Sequence, residues 1–193
     1  MRNVVLYQLL TIDGVAEEPG DWLVDDGPEL FANLASIIES QDDVLLGRGT
    51  YDYWATYWPT SDVEPFATFI NSTPKHVATS TELSLPWENS TKIAEPLPDY
   101  VRDLKGRSGN DIGIHGSIRL ARSLISAGLV DELRLAVAPV IAGRGQQLLA
   151  ADGEGGLQRF ELVDVARSER GMVFLQYRLI ASTEPQPPQN AVT

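Results

Sequence analysis

The sequence predicts an α/β domain built on a mostly parallel sheet that finishes in an antiparallel hairpin. Three observations lead there. The run Val44-Leu45-Leu46 is apolar on both sides of its pleat, the pattern of a strand buried on two faces inside a parallel sheet. Two apolar strands pass through glycine into helices, at Val44-Leu45-Leu46-Gly47-Arg48-Gly49-Thr50-Tyr51 and at Ile112-Gly113-Ile114-His115-Gly116-Ser117-Ile118-Arg119, and parallel strands need such crossovers. Near the C-terminus, residues 160–166 and 172–179 flank Glu169-Arg170-Gly171, which reads as a hairpin.

The elements follow in order. A first strand over residues 4–10 runs into Thr11-Ile12-Asp13-Gly14, where glycine after aspartate signals a turn. A loop over residues 16–28 ends at Pro28-Glu29, which opens a helix with Leu30, Phe31, Leu34, Ile37 and Ile38 on one face. Residues 43–47 form the second strand and residues 50–57 a short helix, followed by a loop at 58–62 and an apolar segment at 66–70. Residues 76–79 form the third strand, 91–94 a small strand, and 98–105 a helix stopped by Gly106. Strand 111–115 leads to a helix with Ser117 as N-cap, Ile118, Ala121, Leu124 and Ile125 inward, and Gly128 at its end. Residues 132–140 alternate and then become wholly apolar, so this strand should be half exposed at its start and buried at its end. Residues 1–180 read as one domain, and 181–193, polar with Pro185, Pro187 and Pro188, as a disordered tail.

Composition narrows the function. The 193 residues suffice for one domain with a sizeable core, and 43% hydrophobic with 22% charged residues is a globular balance. A net charge of −12 repels polyanions, so nucleic acid is not an expected partner. The absence of cysteine removes disulfides, thiolate nucleophiles and cysteine-ligated metals, and His76 and His115 alone do not make a histidine metal cluster. The N-terminus reads as a strand rather than a signal peptide, and no apolar run approaches the roughly 20 residues of a membrane span, so a cytoplasmic location is expected.

The two glycine junctions carry the chemistry. A helix N-terminus presents unpaired N–H groups and a positive dipole end, and glycine admits a phosphate close to the backbone. Arg48 adds a guanidinium fork suited to a phosphate monoester, favoured by its place beside Gly47 over the alternative of a pairing with Asp43 or Asp52. Gly116-Ser117 reads as a phosphate cradle or simply as a tight turn and cap. His115 is a strand-end histidine, Asp13 a turn former or a catalytic group, and Tyr51, Tyr53, Trp54, Tyr57 and Trp58 a pocket wall or an interface. Gly143-Arg144-Gly145 lacks the third glycine of a dinucleotide fingerprint.

The order of Thr11-Ile12-Asp13-Gly14, Leu46-Gly47-Arg48-Gly49-Thr50-Tyr51, Ile114-His115-Gly116-Ser117, Gly128-Leu129-Val130-Asp131-Glu132-Leu133 and Pro139-Val140-Ile141-Ala142-Gly143-Arg144-Gly145 resembles the dihydrofolate-reductase-like superfamily. Within it, the chain is most similar to the reductase domain of riboflavin biosynthesis, in its stand-alone bacterial form without a deaminase. The resemblance implies a doubly wound sheet with helices on both faces, an NADPH site, and a substrate cleft at the carboxyl ends of the strands. It places Gly47, Arg48 and Thr50 on the adenosine 2′-phosphate side, with Thr79 and Ser80 at the next strand end. It places His115, Gly116, Ser117 and Ile118 at the pyrophosphate-binding helix start. It makes Asp13 the candidate catalytic group and Trp22, Phe31, Trp54 and Trp58 candidates for the substrate wall. The implied reaction is hydride transfer from NADPH to a small heterocycle, pterin-like or like 5-amino-6-ribosylaminouracil phosphate, by a homodimer; the alternative is a cofactor-binding or scaffold homologue without turnover. The zinc deaminase half is excluded by the lack of cysteine.

Overall fold

The computed structural model describes residues 1–23, 27–149 and 157–180. Its elements are β1 (Val4–Leu10), α1 (Pro19–Trp22), α2 (Pro28–Ile38), β2 (Gln41–Gly47), α3 (Arg48–Tyr57), a 3-10 turn (Trp58–Thr60), α4 (Phe66–Ser72), β3 (Lys75–Ala78), β4 (Ser90–Ile93), α5 (Leu97–Gly106), β5 (Asp111–His115), α6 (Ile118–Ser126), β6 (Glu132–Val137), β7 (Phe160–Arg167) and β8 (Val173–Leu179). Among the described residues the strands form one sheet in the order β4-β3-β2-β5-β1-β6-β8-β7. Every neighbour pair from β4 to β6 is parallel, and the β6–β8 and β8–β7 pairs are antiparallel. The predicted class therefore holds, hairpin included.

The burial pattern explains the order. Val44, Leu45 and Leu46 are all fully buried, because alternate side chains of β2 feed two different cores. Leu45 joins Ile112, Ile114, Leu120, Leu124, Val101 and Leu104 beneath α5 and α6, whereas Val44 and Leu46 join Tyr51, Phe66, Ile70 and Val77 beneath α3 and α4. A third core packs α2 on Val5, Tyr7, Ala136 and Phe174. Helices thus cover both faces, as right-handed crossovers require when the chain winds one way from β2 to β3 and the other way from β5 to β6.

Four local expectations need correction. The loop over 16–28 contains the short helix α1, opened by Pro19 at its first turn. Helix α3 starts at Arg48, directly on the glycine, two residues before the predicted start. Strand β6 is buried at its start, at Glu132 and Leu133, because β1 and β8 flank it there; Pro139, beyond its end, is exposed where the chain climbs into a loop. Ser117 occupies the N-cap position of α6 without capping it: its backbone is left-handed (φ 48°) and its hydroxyl makes no bond to the helix. The tail expected over 181–193 lies outside the described residues.

Candidate active site

Strands β2 and β5 are parallel neighbours, so their carboxyl ends open side by side, and the helices that follow them leave toward opposite faces. This is the switch point of a doubly wound sheet, where ligands bind. The two glycine junctions are tied together there. The Gly47 N–H donates to Ser117 Oγ at 2.9 Å, and the Ser117 N–H donates to Thr50 Oγ1 at 3.1 Å. The left-handed backbone of Ser117 makes the exchange possible by turning its hydroxyl away from its own helix and across to β2. The first N–H groups of α3 and of α6 lack intrahelical acceptors by helix geometry, so two positive helix ends face one crevice. Gly116, at φ 61°, completes the turn; a Cβ there would lie 3.2 Å from the Trp54 ring.

Arg48 makes the acid pairing its position allowed, with Asp52 rather than Asp43. Its Nε donates to both oxygens of Asp52, at 2.8 and 2.7 Å, and its Nη1 reaches the loop beyond β3 at the Thr81 hydroxyl, the Glu82 carbonyl (3.0 Å) and the Thr79 hydroxyl (3.5 Å). Lys92 of β4 also reaches this loop, with Nζ 2.7 Å from Glu82 Oε1 and 3.4 Å from the Ser80 carbonyl. Sequence reasoning singled out neither Thr81 nor Lys92. Their only signal was a lone base in a small strand of an acidic chain.

The His115 side chain is not available to a ligand. It is 2% exposed, lies 5.1 Å from Phe66 and 5.8 Å from Phe69 between ring centroids, and shares a 2.7 Å hydrogen bond between Nε2 and Gln41 Oε1. Burial lowers its pKa to about 3, so the imidazole is neutral and only its backbone borders the turn. Gly113 permits this packing: a Cβ there would fall 2.8 Å from Gln41 Cδ and 2.9 Å from His115 Nε2.

Asp13 acts on a neighbouring rim, at the ends of β1 and β6. Its carboxylate accepts from the Thr11 hydroxyl at 2.5 Å, the Ala142 N–H at 3.1 Å and the Gly143 N–H at 2.8 Å. Those bonds, the Thr11 hydroxyl foremost, hold its pKa down at about 2. A carboxylate bound in this way fixes a loop. Glu17 makes the parallel clasp, accepting from the Gln146 N–H at 3.0 Å and the Gln146 side-chain amide at 2.7 Å. Beside these clasps lies a cleft of about 460 Å³ bounded by Glu17, Glu18, Asp21, Trp22, Ile141, Ala142, Arg144 and Gly145.

The four aromatic candidates do not form one wall. Trp22 lines that cleft, buried, with its indole N–H donated to the Glu17 carbonyl at 2.9 Å. Trp54 and Trp58 pack edge-on with Phe66, at 5.5 and 4.9 Å between centroids, in the core under α3 and α4. Phe31 is half-buried on α2. Among the described residues no group of acidic or histidine side chains is arranged to hold a metal ion, and no helix is long and apolar enough to cross a membrane.

Fold and site together define a doubly wound α/β domain with two helix starts joined at the switch point. The chain belongs to the RibD C-terminal domain family, whose model matches residues 2–174. It is 29% identical to the uncharacterized protein YyaP of Bacillus subtilis (strain 168) over 154 residues, covering 76% of this chain and 80% of that one. A crystal structure of a putative riboflavin biosynthesis protein from Shewanella sp. PV-4 matches with TM-score 0.75 at 19% identity, covering 92% of this chain and 99% of that chain. The Thermotoga maritima diaminohydroxyphosphoribosylaminopyrimidine deaminase/5-amino-6-(5-phosphoribosylamino)uracil reductase matches with TM-score 0.65 at 17% identity, covering 93% of this chain and 57% of that longer one. The fold is therefore the dihydrofolate-reductase-like fold of these reductase domains.

Proposed function

We propose that the protein is a reductase that uses NADPH to reduce a small heterocycle, pterin-like or like 5-amino-6-ribosylaminouracil phosphate. The observation that carries this reading is the exchange of hydrogen bonds between Gly47 and Ser117 and between Ser117 and Thr50, which sets two helix starts against one crevice. The donor set fits such a cofactor. Backbone N–H groups at Gly116 and Ile118 suit a pyrophosphate, with Ser117 holding the turn between them through Thr50, and Gly47, Arg48, Thr50, Thr79 and Ser80 line the side suited to the phosphorylated ribose. Bound there, reduced nicotinamide would supply the hydride.

The chain's own part is to bind, orient and exclude water. The cleft between Trp22 and Arg144 has a volume typical of small-ligand sites and lies at the same end of the sheet. Asp13, tied to the Thr11 hydroxyl and to the Ala142 and Gly143 N–H groups, keeps its rim in place. The protein works as a homodimer in this reading: β7 is a sheet edge that exposes Leu162, Val163 and Val165 among the charged Glu161, Asp164 and Arg167.

A second reading, a cofactor-binding homologue without turnover, draws on the engagement of Asp13 and the burial of His115, which leave the cleft without a proton donor among these two. Calorimetric titration with NADPH, followed by a panel of pterins and pyrimidines monitored through NADPH absorbance, separates them. Binding with turnover is the expected result. Binding without turnover of any panel member selects the second reading, and no binding rejects both.

A further inference from the structure

We infer that the interior of the sheet contains a binding site for water, a row of bound molecules beneath α2 held by Gln41, His115, Tyr7 and Arg134 and running from under the Gly116 turn to the surface at β6. The site stands apart from the dinucleotide reading and does not depend on it.

The strand register lines these residues up. Tyr7 of β1 stands opposite His115 of β5 on one side and opposite Arg134 of β6 on the other. Side chains at paired positions share a face, so the three make a row two strand spacings long, roughly 10 Å, across the middle of the sheet. Tyr7 belongs to the core packed under α2, which fixes the face. Gln41 joins from β2 through its 2.7 Å hydrogen bond to His115 Nε2.

Among the described residues, four buried side-chain atoms in this row make no hydrogen bond to a protein group: Gln41 Nε2, His115 Nδ1, Tyr7 Oη and Arg134 Nε. Tyr7 and His115 lie with ring centroids 5.9 Å apart and share no direct bond. Gln41, Tyr7 and His115 are each more than nine-tenths buried. Left dry, four such atoms would together cost an amount comparable with a domain's whole net stability.

The chemistry of the four atoms selects the ligand. Gln41 Oε1 only accepts, so its bond to His115 places the imidazole hydrogen on Nε2 and leaves Nδ1 a bare acceptor. Gln41 Nε2 and Arg134 Nε donate, and the Tyr7 hydroxyl, which burial keeps protonated by raising its pKa, does either. The Nδ1 lone pair repels an anion, and the N–H donors repel a cation. Water is neutral, donates and accepts at once, and binds two to four polar partners in such interiors.

The row meets solvent at β6. The Arg134 side chain is 30% exposed, and its Nη2 donates at 3.0 Å to Glu132 Oε2, which also accepts from Gln176 Nε2 at 3.4 Å. At the other end the backbone of His115 continues directly into Gly116. Tyr7 and Gln41 are thereby positioning residues for the imidazole and for the strand end that carries the turn.

A crystal structure of the chain at a resolution that shows ordered water tests the site directly. Density is expected within hydrogen-bonding distance of both Tyr7 Oη and His115 Nδ1. Tyr7→Phe tests it in solution. If the hydroxyl holds a bridging water, its removal should raise the unfolding equilibrium constant about fivefold in urea titration. A dry hydroxyl is destabilising, so its removal would leave that constant unchanged or lower it. Nitrogen NMR reads the same bridge, since the His115 Nδ1 resonance should shift in Tyr7→Phe as its lone pair loses the water. A map without density at those two atoms, a variant as stable as the wild type or more so, or an unmoved Nδ1 resonance overturns the inference. Should Tyr7→Phe not fold, the map of the wild type decides.

Discussion

The two ends of the crevice handle charge in opposite ways. At the β2–β5 end, Arg48 is paired with Asp52 one turn along α3, and two strands away Lys92 of β4 is paired with Glu82, whose side chain is almost wholly exposed. At the β1–β6 end, Asp13 and Glu17 are acids whose partners are chiefly backbone N–H groups of residues 142–146, bonds that no ligand replaces without undoing the loop. The first arrangement is suited to receiving an anion and the second to shaping a wall. Charged residues at a strand end therefore say little about chemistry until their partners are known.

The comparison is broken most directly by Arg48→Ala. Its loss should weaken NADPH about a hundredfold, since a guanidinium that binds phosphate contributes roughly 2–3 kcal/mol, and should change NADH severalfold less. Isothermal titration reads both, and equal loss would place Arg48 outside the phosphate site. Ser117→Ala removes the acceptor of the Gly47 N–H and should weaken either cofactor about tenfold while lowering stability by about 1 kcal/mol in urea unfolding. A change in stability with cofactor affinity unaltered would make the contact structural only.

The buried histidine supplies a pH test away from both ends. Its folded pKa of about 3 lies below the ordinary 6.5, so below about pH 6.5 the unfolded chain binds a proton that the folded chain does not. Stability should then fall as the pH drops from about 6.5 toward 3, by up to about 1.4 kcal/mol per pH unit, and His115→Gln should flatten that limb. Denaturant unfolding across the range checks it; an unchanged slope in the variant assigns the acid sensitivity elsewhere.

The smallest effect is expected at Asp13. Asp13→Asn keeps an oxygen for the Ala142 or Gly143 N–H, so kcat should stay within about threefold and the change should appear in KM as the rim loosens. A kcat loss of a hundredfold with the fold intact would restore Asp13 as the catalytic group. For the wild-type rim, the depressed pKa means that the clasp persists above about pH 4 and is lost as the pH falls through about 2.

What could be read from the sequence follows from the range of each interaction. Val44-Leu45-Leu46 announced a doubly buried strand because its burial is written in its own side chains, and the β5–α6 unit was equally plain. The sequence predicts a cap at Ser117 because serine before a helix bonds its own N-terminus in most settings; here a left-handed backbone sends the hydroxyl to a residue 70 positions away. Lys92 was invisible for the same reason, since only the β3–β4 register brings it over the 79–82 loop. Gln41 and Gly113 gave no hint of sheltering His115, because one side chain must cross the other's missing Cβ for the pairing to exist.

The central claim is that the Gly47–Thr50 and Gly116–Ile118 junctions grip one dinucleotide. Amide hydrogen exchange with and without NADPH measures it at both places at once. The account predicts that the cofactor slows exchange over residues 47–50 and over residues 116–120 together, with the same midpoint in NADPH concentration. Protection of one junction alone, or of neither at a concentration that saturates binding, would contradict it.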